Sequence, residues 1–242
     1  MKYIIKVLLI LCVLLFSFTL LSAKEYKVVI AQLPVSEIYS NLLKAISEET
    51  NNTFTVEIVP FGRLLHHVEN DLADIGCPII SLKNIKKQEK LKYDISTTDI
   101  LEMVFVLYVN KNINIDVNEL KNGNPKKYKI ETDYTHVDLF DFDCKPSNDI
   151  EASLKRVEKG IIDGFIFAQG STDKMLKNGD YKNIKRIFYD TFTLKFVIKK
   201  GSQGGEIDRI LTIGINEIKS NGKYEKIIGE YARKVKIFNN NI

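Results

Sequence analysis

The first third of the chain alternates between two hydrophobic periods. Short apolar runs at residues 26–32, 53–59 and 74–80 predict strands. Between them, residues 37–49 and 63–72 carry apolar side chains at helical spacing, which predicts two amphipathic helices. The order strand, helix, strand, helix, strand indicates a parallel sheet with crossover helices.

A second alternation of the same kind follows a polar, lysine-rich stretch. We expect residues 81–99 to form a loop and the continuous apolar run at 103–109 to form a buried strand. Further strands are predicted at residues 128–132, 137–142, 161–167 and 193–199, and helices at 150–159, 206–220 and 223–234. The chain therefore contains a second α/β unit after the first.

Two segments of the chain are similar to each other. Residues 68–75 read Val-Glu-Asn-Asp-Leu-Ala-Asp-Ile, and residues 157–164 read Val-Glu-Lys-Gly-Ile-Ile-Asp-Gly. Both place the end of an amphipathic helix, a tight turn and an aspartate at the start of a buried strand. Two similar α/β lobes explain this repetition, and a chance similarity between two β-α-β units is the alternative.

The N-terminus has the three-part layout of a secretory signal peptide. Lys2 and Lys6 precede an uncharged apolar run at residues 7–21, and polarity begins at Lys24. The run is shorter than the ~20 residues that span a bilayer as a helix. We therefore predict that residues 1–23 are cleaved and that the protein lies in the periplasm or outside the cytoplasmic membrane. An uncleaved membrane anchor is the alternative.

Composition and charge narrow the function classes. The 242 residues include 35 Lys and Arg against 31 Asp and Glu, and this near balance does not indicate a nucleic-acid partner. Cys77 and Cys144 are expected to stay unpaired, and the chain has no paired Cys-x-x-Cys motifs for zinc. His66 and His67 would point about 100° apart on a helix, so no shared metal site is expected. We predict a monomer without metal or cofactor.

Five short motifs, taken in order, carry a resemblance to a known family. They are Phe61-Gly62-Arg63, Asp74-Ile75-Gly76, Asp94-Ile95-Ser96, Gly160-Ile161-Ile162-Asp163-Gly164, and Gly222-Lys223-Tyr224-Glu225-Lys226-Ile227 with Tyr231. Over about residues 25–235 the chain resembles the family 3 extracellular solute-binding proteins, the amino-acid-type receptors of ABC importers. The resemblance implies an α/β, two-lobed type II periplasmic-binding fold, in which each lobe is a mostly parallel sheet flanked by helices.

The resemblance also implies how the lobes are divided. Lobe 1 would comprise residues 25–105 with 197–242, and lobe 2 residues 110–192. Hinge strands near residues 103–109 and 191–196 would join them. A ligand would lie in the cleft that faces the carboxyl ends of the strands, which is the general rule for open α/β sheets.

The sequence departs from the family where amino-acid ligands are held. Members that bind amino acids use an Arg for the ligand carboxylate and an Asp for its ammonium. Here the Arg position falls on Lys86 or, in another alignment, on Glu89 or Lys90, and the Asp position falls on Ala168. We therefore expect a small polar ligand other than an ordinary α-amino acid. The candidate ligand-binding residues by position are Tyr39, Phe61, Ser81, Lys86, Thr97, Tyr134, Thr135 and Gln169.

The predicted function is capture of a small solute for a membrane ABC permease, in the manner of amino acid transport. A degenerate surface or interaction protein on the same fold is the first alternative. A periplasmic enzyme, either a dehydratase or a lyase, is the second. The chain contains no Gly-x-Ser-x-Gly elbow, phosphate loop or His-Glu-x-x-His motif, so we expect no catalytic activity.

Overall fold

The computed structural model describes residues 24–33, 35–81, 88–122 and 128–236. The strands are β1 (Glu25–Ala31), β2 (Thr53–Val59), β3 (Ile75–Ile80), β4 (Tyr93–Asn110), β5 (Ile130–Asp133), β6 (Lys145–Ser147), β7 (Gly164–Ala168) and β8 (Ile184–Lys199). The α-helices are α1 (Ser36–Thr50), α2 (Phe61–Glu69), α3 (Val117–Lys121), α4 (Ile150–Glu158), α5 (Gln169–Asn178), α6 (Glu206–Ser220) and α7 (Lys223–Lys236). A 3₁₀ helix spans Tyr134–Leu139.

The strands form one eight-stranded sheet in the order β2-β1-β3-β8-β4-β7-β5-β6. The predicted α/β class, with mostly parallel outer strands flanked by helices, is confirmed. The two outer groups belong to one hydrogen-bonded sheet because β4 and β8 are long and pair antiparallel along almost their whole length. We call β2, β1 and β3 with the adjoining ends of β8 and β4 the first half, and β7, β5 and β6 with the opposite ends the second half.

The two halves repeat one strand arrangement. In the first half the order is second, first, third (β2-β1-β3), and all neighbours are parallel. In the second half the order β6-β5-β7 is again second, first, third, and again parallel. The third strand of each half joins the β4–β8 ribbon in antiparallel fashion, β3 through β8 and β7 through β4.

The hydrogen bonds at the start of each third strand also repeat. Before β3, the Asp74 carboxylate accepts a bond from the Lys27 N–H at 2.8 Å, and the Asp74 N–H donates to the Lys27 carbonyl at 2.8 Å. Before β7, Asp163 accepts from the Lys129 N–H at 2.6 Å and donates its own N–H to the Lys129 carbonyl at 2.9 Å. Each aspartate thus anchors the start of its strand to the first strand of the same half.

The turns that precede these aspartates have the same geometry. Asp71 and Gly160, three residues before each aspartate, have φ of 58° and 68°, the left-handed conformation in which helices commonly end. In both turns the next N–H donates to the carbonyl five residues earlier, at 2.8 Å and 2.9 Å. The sequence repetition therefore reflects two similar α/β units, as predicted.

The two faces of the sheet carry different cores. On one face a single apolar cluster runs through both halves; its members include Val28, Ile30, Leu42, Ile46, Phe105, Leu107, Ile130, Ile166, Phe196 and Leu211. On the other face there are two separate clusters. The one in the first half includes Val29, Leu64, Val68 and Val197, and the one in the second half includes Val106, Leu154, Val157 and Phe165. One face therefore binds the halves together, and the other leaves a break between them.

Local sequence accounts for several helix ends. The Asp116 carboxylate accepts a bond from the Asn118 N–H at 2.8 Å and starts α3. The Asp149 carboxylate accepts from the Ala152 N–H at 3.0 Å and starts α4. These side chains satisfy N–H groups that have no partner within the helix. Asn51, at φ 52°, ends α1 in the left-handed conformation.

Several element predictions were wrong. The strand expected at residues 137–142 is replaced by the 3₁₀ helix, which the Asp133 carboxylate starts by accepting a bond from the Thr135 N–H. Phe140 is extended, and Phe140 and Phe142 are buried while Asp141 is exposed, so the side chains alternate in burial although these residues belong to no strand. The loop expected at residues 81–99 is wrong for residues 93–99, which belong to β4, and residues 82–87 lie outside the described residues.

The two cysteines in the described residues are buried and free, as predicted for Cys77 and Cys144. Burial raises the pKa of the Cys144 thiol to about 12, with nearby carboxylates acting in the same direction. Among the described residues, no helix is both long enough and apolar enough to cross a membrane. The predicted signal peptide at residues 1–23 lies outside the described residues.

Candidate ligand-binding site

The carboxyl ends of β3 and β7 meet the middle of the β4–β8 ribbon from opposite sides. At the end of β3, Ile80 lies opposite Leu194 of β8, which in turn pairs with Leu101 of β4. At the end of β7, Ala168 lies opposite Phe105 of β4. The two ends are thus four residues apart along β4, or roughly 13 Å at ~3.3 Å per residue. Because the carboxyl ends of strands are where open α/β sheets bind ligands, this level of the sheet is the candidate site.

The segment of ribbon between those ends, residues 102–104 of β4 and 191–193 of β8, is called here the crossover segment. Its pairing is regular, with Glu102 opposite Thr193 and Val104 opposite Thr191. Side chains at alternate positions share one face of a strand, so these four lie together on the face that carries the two separate cores. Glu102 is exposed and the other three are half-buried. The break between the cores therefore has a floor of one carboxylate, two hydroxyls and one isopropyl group.

The opposite face of the crossover segment is closed by aromatic side chains. Phe105 is fully buried, with its ring centroid 4.8 Å from that of Phe192, 6.0 Å from that of Phe167 and 5.7 Å from that of His136. Phe140 packs on the same group, 6.2 Å from Phe105. Edge-to-face contacts of this kind stabilise beyond the area they bury. This face therefore holds the second half against the ribbon.

Polar side chains follow the end of β5 and form the second-half border of the site. The Thr135 N–H donates to the Asp133 carboxylate at 3.0 Å, and His136 Nδ1 lies 3.5 Å from the same carboxylate. Burial alone would raise the pKa of Asp133, but hydrogen bonds from His136 and Thr135 outweigh it and hold that pKa below its ordinary value. Asp133 is therefore a carboxylate at neutral pH, committed to organising the 3₁₀ helix.

An ion pair supports this border from behind. Arg156 of α4 reaches Glu131 of β5 with two nitrogens, Nε at 3.1 Å and Nη2 at 2.6 Å. Ser153 and Ser147 hydrogen-bond to the same group. The pair fixes α4 to β5 and so fixes the strand that presents the 3₁₀ helix.

Five of the eight predicted ligand residues lie at the carboxyl ends of strands. Ser81 directly follows β3, and its N–H donates to the Thr193 carbonyl at 2.8 Å. Phe61 follows β2 and is half-buried, and Gln169 follows β7 and is buried. The remaining two, exposed Tyr134 and half-buried Thr135, follow β5. The predicted ligand contacts of these residues remain predictions.

The structure commits two of the other predicted residues to the scaffold. Tyr39 is fully buried in the core beneath α1. The Thr97 N–H and hydroxyl donate to the Asp208 carboxylate of α6 at 2.9 Å and 3.0 Å. Both donors of Thr97 are therefore used within the scaffold. Lys86 lies outside the described residues.

Sequence reasoning placed hinge strands near residues 103–109 and 191–196 but selected no side chain of the crossover segment as a ligand contact. Glu102, Thr191 and Thr193 were not singled out, because strand register decides their position and register is not visible in one sequence. One signal was present. Glu102 is the single charge in the apolar run at residues 100–109.

Comparison with solved structures agrees with this geometry. The arginine-, lysine-, histidine-binding protein ArtJ from Geobacillus stearothermophilus superposes with a TM-score of 0.60 at 16% identity, covering 86% of this chain and 94% of that one. The chain has the type II periplasmic-binding-protein fold. The probable amino-acid ABC transporter extracellular-binding protein ytmK from Bacillus subtilis matches with a TM-score of 0.61 at 14% identity, covering 87% and 99%. The fold implied by the motifs is thus confirmed.

A third match shows what else this fold carries. The GluR0 ligand-binding core from Nostoc punctiforme, solved with (L)-glutamate, matches with a TM-score of 0.60 at 13% identity, covering 85% of this chain and 98% of that one. These similar structures are binding proteins and a receptor core rather than enzymes. No protein-family model and no curated protein sequence matches the chain.

Proposed function

We propose that this chain is an exported solute-binding protein that holds a small polar ligand at the crossover segment and delivers it to a membrane ABC permease. The observation that carries the proposal is the meeting of two sets of strand carboxyl ends at one level of the β4–β8 ribbon. Solved structures of the same fold that are described as binding proteins of amino acid ABC transporters support it.

The proposed site offers hydrogen bonds from both halves. Ser81 comes from the first half, Gln169 from the second, and Thr193 from the floor. Phe61 and Tyr134 add aromatic surface at the two borders. A ligand of a few polar groups could contact all three regions at once, and such shared contact favours a closed arrangement of the two halves.

The proposal includes the division into lobes. Lobe 1 is taken as residues 25–105 with 197–242 and lobe 2 as residues 110–192. The hinge is then the pair of strands near residues 103–109 and 191–196, which lie within β4 and β8. Closure by bending at two strands is a known form of domain motion around ligands.

A thermal-shift screen tests the proposal. The purified protein is screened against amino acids, amines, short peptides and organic acids. A true ligand at one hundred times its dissociation constant should stabilise the fold by ~2.7 kcal/mol. If no class stabilises the protein, the transport role is wrong and an interaction protein becomes the better description. Turnover of a stabilising compound would instead indicate an enzyme.

A matched pair of variants locates the site. Thr193→Val removes a hydroxyl from the floor while keeping a β-branched side chain. Thr53→Val makes the same change on the exposed outer strand β2. We expect Thr193→Val to weaken the ligand found in the screen by about two- to tenfold, the cost of one hydrogen bond, and Thr53→Val to leave it unchanged. Equal effects of the two variants would place the ligand elsewhere.

A further inference from the structure

We infer that Glu102 selects the ligand, and that the ligand carries a positively charged nitrogen such as an ammonium or guanidinium group. The inference rests on the proposed function, because it assigns ligand chemistry to the same site. It concerns one carboxylate, whose place in the fold is set by strand pairing.

The orientation of Glu102 follows from its register. Pairing is unbroken from Leu101 to Phe105, so alternate side chains point to opposite faces. Leu101 and Phe105 both belong to the continuous core, and Met103 packs against it. Glu102 therefore points to the other face, into the break between the two separate cores, where it is exposed.

The carboxylate is not committed to the scaffold. Among the described residues, no ion pair reaches Glu102, and its partner across the ribbon is the neutral Thr193. The next side chain on this face of β8 is Lys195. Its ammonium lies 2.7 Å from the Asp99 carboxylate and donates to the Thr97 carbonyl at 3.0 Å. The nearby cation is thus already paired with another acid.

Within the part of the chain that the structure describes, the other carboxylates near the site have hydrogen-bond or ion-pair partners, unlike Glu102. Asp133 is held by His136 and Thr135, and Glu131 by Arg156. When the two halves enclose a ligand and exclude water, an unpaired carboxylate on the floor becomes costly, and a cation removes that cost. An anionic ligand would meet repulsion at the same place. The floor therefore discriminates by charge, with hydroxyl groups beside the carboxylate to accept further N–H bonds.

The experiment measures affinity by calorimetry for three sets of compounds. The cationic set is arginine, lysine and putrescine. The neutral set is 1,4-butanediol and propionamide and the anionic set is succinate and glutarate, none of which carries a positively charged nitrogen. We expect binding from the cationic set, weakening as salt is raised. Glu102→Gln should weaken that binding at least tenfold, since it replaces a charge-assisted hydrogen bond by a neutral one.

Controls separate charge selection from folding. Glu57→Gln makes the same change on the exposed strand β2 and should leave binding unchanged. Glu102→Asp keeps the charge and should retain more binding than Glu102→Gln, with all three variants unfolding at the wild-type midpoint.

Two results overturn the inference in distinguishable ways. If neutral or anionic compounds bind while cations do not, or if Glu102→Gln leaves cation binding intact, the charge assignment is wrong and the transport role survives. If no compound of any set binds, the proposed function is wrong and the inference falls with it.

Discussion

The two halves of the sheet share a scaffold and differ at the site. Each half has the strand order second, first, third, and each anchors its third strand through an aspartate, Asp74 or Asp163. After β1, however, the first half continues into the fifteen-residue helix α1 (Ser36–Thr50). After β5, the second half has the six-residue 3₁₀ helix Tyr134–Leu139, followed by the buried rings of Phe140 and Phe142. The difference indicates that the shared scaffold tolerates different elements at the border of the candidate site.

The halves are also stabilised differently. The first half buries its strands between α1 and α6 on one face and α2 on the other. The second half relies more on rings around Phe105 and on the Arg156–Glu131 pair. Both sets of contacts meet at the β4–β8 ribbon. We therefore expect a substitution that destabilises one half to destabilise the other as well.

The largest expected effect tests that coupling. Phe105→Ala should lower the free energy of unfolding by about 3–5 kcal/mol, because it empties the centre of the aromatic group. Leu64→Ala, in the separate core of the first half, should cost about 2–5 kcal/mol. Urea unfolding followed by circular dichroism and by tyrosine fluorescence should show one coincident transition for each variant. Two separated transitions would show that the halves fold independently.

The next effect concerns an ion pair found in the second half. Arg156→Ala leaves the mostly buried Glu131 carboxylate without its two-pronged partner and should cost about 2–3 kcal/mol. Arg156→Lys keeps the charge without the fork geometry and should recover only part of that loss. Unfolding in urea measures both. A lysine variant as stable as wild type would show that the planar geometry is unimportant.

A smaller effect compares the two anchoring aspartates directly. Asp74→Ala and Asp163→Ala should each cost about 1–2 kcal/mol, since each removes the acceptor for one backbone N–H. Asp74 should cost the more of the two because it also lies 3.0 Å from the Lys199 ammonium. Asn at either position keeps an acceptor oxygen and serves as the control. If only one of the two variants lowers the free energy of unfolding, the two aspartates share a geometry but do not stabilise their halves equally.

The smallest effect depends on pH. The pKa of Asp133 is lowered in the folded protein, so its contribution is present above the pKa of the unfolded chain and is lost as pH falls through the folded value. Asp133→Asn should therefore lower the free energy of unfolding by about 1 kcal/mol near pH 7, and the gap to wild type should close as the pH falls through the folded pKa of Asp133. Urea midpoints at several pH values measure it. If the stability difference between Asp133→Asn and wild type instead grows as the pH falls, the folded pKa of Asp133 is raised rather than lowered.

Much of the fold was readable from the sequence, because burial imposes clear periods on long elements. The sequence repetition around Asp74 and Asp163 also predicted two similar α/β units without knowledge of the strand pairing. Short or weakly apolar elements escaped. The helix α5 was missed because few of its residues are apolar, and β6 was missed because it has three residues including Pro146.

The candidate site was less accessible to sequence reasoning. Ser81 and Gln169 were candidates because the family resemblance placed them at or beside its ligand-binding positions, and both follow the ends of strands. Glu102 was missed because its importance comes from lying between two strand ends that are far apart in the sequence. Thr97 looked equivalent by position, yet its hydrogen bonds go to Asp208. The position of Glu102 depends on strand pairing and the role of Thr97 depends on its hydrogen-bond partner. Both are contacts between residues far apart in the sequence.

The path of the chain through the ribbon has a consequence for biosynthesis. β1, β2 and β3 are translated first, but β8, which pairs with β3, and α6, which covers one of their faces, come last. The second half is encoded between the two ribbon strands and has all its partners as soon as β8 emerges. The nascent first half must therefore keep its apolar strands from aggregating while most of the chain is made, and chaperones that shield exposed strands should matter most for these N-terminal segments.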